Sequence, residues 1–117
     1  MIPPLLLDMH PGCKVVDMCA APGSKTLQAL ERMDESDDGW LVANELNSQR
    51  ARVLARRLSD AGHSKCCVTS HPAQYLPLLE PDLILCDVPC SGDGTIRKAA
   101  EVVQHVFGCK TLHAHIL

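Results

Sequence analysis

Residues 14–26 read Lys14-Val15-Val16-Asp17-Met18-Cys19-Ala20-Ala21-Pro22-Gly23-Ser24-Lys25-Thr26. Lys14 to Cys19 is a compact apolar run that ends in small residues and Pro22-Gly23, which predicts a buried strand running into a tight turn. Ser24 to Met33 follows with Leu27, Leu30 and Met33 at helical spacing. The same strand–turn–helix unit then recurs. Asp34 to Gly39 is acidic turn chemistry, and Trp40-Leu41-Val42-Ala43-Asn44 reads as a second strand ending at Glu45. Asn47 is placed to cap a second helix, whose apolar face is Ala51, Leu54, Ala55, Leu58 and Ala61 and whose stop is Gly62. Lys65 to Thr69 is a third strand, Leu83 to Cys86 a fourth, and Ala99 to Phe107 has helical character. Alternation of this kind predicts an α/β domain with a parallel sheet. The near-continuous apolar strands predict cover on both faces. In such a sheet ligands sit beyond the carboxyl ends of the strands, where the strand order reverses. Attention therefore falls on the loops after strands one, two and four.

Length and composition bound the rest. A chain of 117 residues is one domain or less. Apolar residues make up 46% and charged residues 21%, which argues against intrinsic disorder. Lys and Arg number 11 against 14 Asp and Glu, a net charge of −3, so there is no electrostatic footprint for nucleic acid. One Phe, one Trp and one Tyr argue against a platform of stacked aromatics for single strands within this chain. If RNA or DNA is the substrate, other parts of a larger protein supply most of the grip. The seven cysteines are odd in number and form no Cys-x-x-Cys. With no secretory leader at Met1 to Asp8 and no apolar stretch near 18 residues, the expectation is a reducing intracellular compartment and no membrane span.

Three segments carry chemistry. In the first, Asp17 to Thr26, small residues and Gly23 let a ligand approach the backbone closely, and the following helix start favours an anionic group; the plainer reading is a tight strand–helix turn. It is neither a P-loop, lacking Gly-Lys-Thr in sequence, nor a dinucleotide loop, lacking Gly-x-Gly-x-x-Gly. The second is Asn44-Glu45. A carboxylate at a strand end can accept hydrogen bonds from ribose hydroxyls, or it can be a solvated end. The third, Asp87-Val88-Pro89-Cys90-Ser91-Gly92-Asp93-Gly94-Thr95, joins an acid, a rigid Pro and a Cys beyond the last strand. That Cys reads either as a reactive thiol or as incidental to a Pro-Gly turn. Arg50, Arg52, Arg56 and Arg57 read as a solvated helix face, with RNA contact, or packing of Arg50 near a cofactor, as the other readings. His113-x-His115 lacks further ligands and reads as incidental rather than as a metal site.

The phrases Asp17 to Thr26 and Leu85-Cys86-Asp87-Val88-Pro89-Cys90-Ser91-Gly92-Asp93-Gly94 together resemble the RNA (cytosine-5) methyltransferases of the RsmB/NOP type, and are most like the eukaryotic tRNA-modifying branch. The likeness runs from Ile2 to about Lys98. It implies a Rossmann-like, class I S-adenosylmethionine-dependent methyltransferase fold, of which residues 1–117 would hold the first four strands only. The cofactor implied is S-adenosylmethionine. Cys19, Ala20, Ala21, Pro22, Gly23, Ser24 and Lys25 would wrap its methionine end, Glu45 would hold its ribose, and Asp87 would line the cofactor and target-base site. Two cysteines share the chemistry in that family. One, in a Thr-Cys, attacks C6 of cytosine; the other, in Asp-x-Pro-Cys, helps release the product, and Cys90 matches this second role. The implied partner is RNA, tRNA before rRNA, acting in the nucleus, nucleolus or cytoplasm, with no metal and no membrane. DNA cytosine-5 methyltransferases instead use their Pro-Cys cysteine as the nucleophile, and the surrounding phrases fit them less well.

Three departures qualify the likeness. Pro72 stands where the family has an Asp that contacts adenine, a loss worth about 1–2 kcal/mol for one hydrogen bond. No Thr-Cys follows the fourth strand, and Cys109 sits in no recognisable strand. Both ends look cut, so a preceding RNA-binding region and the C-terminal half of the fold would be missing. The fourth strand would then be an unprotected apolar edge, with weak stability or aggregation as the result. The expectation is a chain inactive by itself; a non-catalytic cofactor-binding module and a truncated gene product are the alternatives.

Overall fold

The computed structural model describes residues 9–34, 36, 38–77 and 79–87, together with the course of the strand Ala114–Ile116. Chain order is β1 (Lys14–Asp17), α1 (Ser24–Leu30), β2 (Trp40–Asn44), α2 (Ser48–Asp60), β3 (Cys66–Thr69), a 3-10 turn (Ala73–Tyr75), β4 (Leu83–Cys86) and β5 (Ala114–Ile116). The strands form one sheet in the order β3-β2-β1-β4-β5, and every neighbouring pair is parallel. The α/β parallel architecture expected from the alternation is therefore present. Among the described residues no helix is long and apolar enough to cross a membrane.

Period-two alternation along the strands splits the core in two. Val15, Leu41, Ala43, Leu83 and Leu85 point to the face covered by Ala29 and Leu30 of α1 and by Leu54 and Leu58 of α2. Val16, Ile84 and Cys86 point to the other face, where Met18 and Leu76 pack with them. The α2 stripe is anchored at its start by Asn47, whose side-chain oxygen accepts from the amides of Gln49 and Arg50. It stops where Gly62 takes a φ of 76°, a conformation that favours glycine.

One expectation is corrected. β4 is not the edge of the sheet, because β5 pairs along it, with Ile84 opposite Ala114, Leu85 opposite His115 and Cys86 opposite Ile116. A three-residue strand offers too few positions for an alternation to be read from sequence. The helical character expected for Ala99 to Phe107 falls outside the described residues, as does Cys90.

Candidate functional site

The chain leaves β1 toward β2 and β3, then crosses back to place β4 on the other side of β1. This reversal opens a crevice at the carboxyl ends of the strands. A cleft of about 900 Å³ lies there. Cys19 and Ala21 wall it from the loop after β1, Asn44, Glu45 and Asn47 from the end of β2, Pro72 and Gln74 from the loop after β3, and Asp87 from the end of β4.

The loop after β1 is shaped by close packing. Gly23 has a φ of 98°, and a Cβ built on it would meet Cδ1 of the fully buried Leu54 at 2.7 Å. Only glycine satisfies both constraints. Two arginines of α2 then hold the loop by its carbonyls: Arg50 Nη2 donates to the oxygen of Ala21 at 3.1 Å, and Arg57 Nη1 to that of Pro22 at 3.0 Å. Beneath the loop, Thr26 Oγ1 donates to the buried Asp17 carboxylate at 2.7 Å. Arg50 and Arg57 are thus more than a solvated face. Helical periodicity puts them on the outer side of α2, and their partners lie too far away in sequence to be inferred from it.

Asn44 ties the walls together. Its amide nitrogen donates to the carbonyls of Met18 at 3.2 Å and His71 at 2.9 Å. Its amide oxygen accepts from Thr69 Oγ1 at 2.9 Å and from the His71 amide at 3.2 Å. One side chain, 1% exposed, therefore links β2 to the loops after β1 and β3. Next to it the Glu45 carboxylate is also buried, with one oxygen accepting from the Asn47 amide at 3.0 Å and the other 3.6 Å from Arg50 Nη2. Across the cleft, Lys25 and Asp87 form an ion pair.

The family model described as 16S rRNA methyltransferase RsmB/F matches residues 4–113. The chain belongs to this family. Among curated proteins it is similar to the multisite-specific tRNA:(cytosine-C(5))-methyltransferase of Saccharomyces cerevisiae, 42% identical over 87% of the chain but only 17% of the yeast protein's length. Among solved structures it is similar to NSun6 from Pyrococcus horikoshii, solved with SFG, at 29% identity and a TM-score of 0.59, covering 67% of this chain and 20% of that one. A SAM-dependent O-methyltransferase of Thermotoga maritima shares the fold, with a TM-score of 0.70 at 14% identity over 88% of this chain and 37% of that one. The fold is the Rossmann-like one of class I methyltransferases, and the family's cofactor is S-adenosylmethionine.

Within this RsmB/F chain, Cys19, Ala21, Glu45 and Asp87 stand on the cleft. Ala20 and Gly23 are buried in the loop, Pro22 and Ser24 are exposed on it, and Lys25 reaches the cleft through Asp87. Met18, Asn44, Leu46, His71, Ala73 and Gln74 also line the cleft, and the sequence gives none of them a ligand-binding role. A polar residue closing an apolar strand is the signal that marks Asn44; nothing marks Gln74. Pro72 does stand on the cleft wall, where its ring offers no acceptor to a ligand. Burial, with Cys86, Asp17, Glu45 and Asp87 nearby, pushes the Cys19 thiol up to about 11. Cys19 therefore walls the cleft as a thiol, not as a thiolate nucleophile.

Burial also raises Asp17 from 3.8 to about 6, against the opposing hydrogen bond from Thr26. The unfolded chain sheds this proton near pH 4, while the folded chain holds it to about pH 6. Folding then takes up a proton within that window, so stability falls as pH rises through it, by roughly 2–3 kcal/mol in total. Asp17→Asn, which keeps an acceptor for Thr26, is expected to flatten this slope. Denaturant midpoints of both chains between pH 4 and pH 7 measure it, and parallel curves would refute the assignment.

Proposed function

We propose that this chain forms the S-adenosylmethionine-binding part of an RNA cytosine-5 methyltransferase that acts on tRNA inside the cell. The observation that carries the reading is the buried Glu45 carboxylate at the end of β2, facing a cleft at the point where the strand order reverses. The cleft's volume suits a nucleoside-sized ligand, since such pockets run about 300–1,000 Å³. The residues fit the cofactor. Glu45 would accept from the ribose hydroxyls, its carboxylate held in place by the Asn47 amide and Arg50. Cys19 to Lys25 would enclose the methionine end, with the loop held by Arg50 and Arg57. When bound, S-adenosylmethionine supplies an electrophilic methyl group. Asp87, paired with Lys25 on the cleft wall, would line the site where the cofactor meets a target base. Cys90, three residues on, would help release the product.

No Thr-Cys occurs in the 117 residues, so methyl transfer needs a nucleophile from outside them. By itself the chain is expected to bind the cofactor without turnover. Pro72 on the cleft wall favours the second reading, a cofactor-binding module with weakened hold on adenine.

Equilibrium dialysis with labelled S-adenosylmethionine tests the assignment. Glu45→Gln keeps the shape but loses charge-assisted acceptance, so affinity is expected to fall about 10-fold, equivalent to ~1.4 kcal/mol. Unchanged affinity would remove Glu45 from the site.

A further inference from the structure

We propose that His10, Cys13 and Asp82 bind a divalent transition metal ion of the zinc class at the amino ends of β1 and β4, at the opposite end of the strands from the cleft. A ring nitrogen of His10, the sulfur of Cys13 and a carboxylate oxygen of Asp82 all lie within 4.8 Å of one another. A tetrahedral centre with bonds of about 2.0–2.3 Å sets its ligands roughly 3.3–3.8 Å apart, so small side-chain movements close the site.

The backbone holds these groups in place. Gly12 takes a φ of 78°, and the Cys13 amide donates to the His10 carbonyl at 3.1 Å, a tight turn that brings the two side chains of His10-x-x-Cys13 to one side. Asp82 is fixed to the start of β1 twice: its amide donates to the Lys14 carbonyl at 2.8 Å, and its Oδ2 accepts from the Lys14 amide at 2.8 Å. His10 Nδ1 lies 3.0 Å from the Pro11 carbonyl. With its proton on Nδ1 toward that oxygen, the ring presents the Nε2 lone pair that a metal takes. Ligating imidazoles and carboxylates carry outer hydrogen bonds of this kind.

The donor set chooses the ion. Thiolate, imidazole and carboxylate together suit zinc, cobalt or nickel, whereas magnesium and calcium take oxygen ligands. On binding, the Cys13 thiol gives its proton to solvent and its sulfur bonds the ion. The ion then joins the segment before β1 to the segment before β4, closing a long loop of chain and stabilising the folded sheet.

Cobalt(II) titration of the chain, after treatment with a chelator, tests this. The expected result is visible absorption of tetrahedral cobalt with a sulfur-to-metal band in the near ultraviolet, both displaced by zinc, and a rise in Tm with zinc. His10 is exposed, so His10→Ala leaves the fold intact and is expected to abolish the visible bands and the Tm rise while S-adenosylmethionine binding persists. Cys13→Ser is expected to remove the sulfur band; because Cys13 is buried, it is read alongside His10→Ala. Bands that survive His10→Ala would place the ion on other cysteines and overturn the proposal. No bands and no Tm rise in the wild-type chain would overturn it too, leaving Asp82 as a cap on the β1 backbone.

Discussion

Asn44→Ala is expected to lower the unfolding free energy by about 3–4 kcal/mol and to abolish cofactor binding. The side chain makes four hydrogen bonds, to Met18, Thr69 and both backbone groups of His71. Each contributes about 1 kcal/mol net, and the partners left behind next to the cleft lose their acceptor or donor outright. Water entering the cleft re-satisfies part of this loss, which keeps the figure below the sum of full desolvation penalties. The functional loss has a separate cause. Without Asn44 the loops after β1 and β3 are no longer fixed to β2, and the cleft walls they form separate. Asn44→Asp distinguishes bond count from shape: it keeps the size and the acceptor but loses both donors to Met18 and His71. Urea midpoints give the stability term. An Asn44→Ala chain within 1 kcal/mol of wild type would show that the amide does not hold the loops.

Gly23→Ala is expected to cost about 3 kcal/mol from two independent sources. A φ of 98° places any side chain in a region that costs roughly 1–2 kcal/mol outside glycine. The new methyl would also stand 2.7 Å from Leu54 Cδ1, and Leu54 is 0% exposed, with no room to retreat, so overpacking adds about 1–3 kcal/mol. A double-mutant cycle with Leu54→Ala separates the two. The clash disappears in the double variant and the backbone strain remains, so the pair is expected to be less destabilised than the sum of its members by about 1–2 kcal/mol. Additive costs would mean that the loop moves away from α2 without resistance.

What the sequence shows of this molecule is mostly local. β2 and β4 are found at the residues their apolar runs mark, and Asn47 and Gly62 bound α2 as their chemistry requires. The ends of the first unit differ. β1 ends at Asp17, after which the chain turns while still bonding its neighbours through Met18 to Leu85 and Ala20 to Asn44. α1 ends at Leu30, and the expected last turn tightens, with the Arg32 and Met33 amides reaching back three residues. Long-range features are not legible. The partners of Asn44 come from two loops and the end of β3, the carbonyls that Arg50 and Arg57 hold lie 29 and 35 residues away, and β5 is too short to carry a pattern. That Glu45 and Asp87 line one cleft is legible because strand ends in a parallel sheet converge on one crevice.

The proposed function requires that the cleft beyond the carboxyl ends of β1, β2 and β4 hold S-adenosylmethionine. Heteronuclear NMR of the chain titrated with the cofactor locates the binding site directly. Amide shifts are expected to saturate together at Cys19 to Gly23, Glu45 to Asn47 and His71 to Gln74, while the turn from His10 to Cys13 at the opposite end of the sheet stays unmoved. Saturable shifts centred away from these three loops, or a folded chain whose spectrum does not respond, would show that the cleft is not the cofactor site.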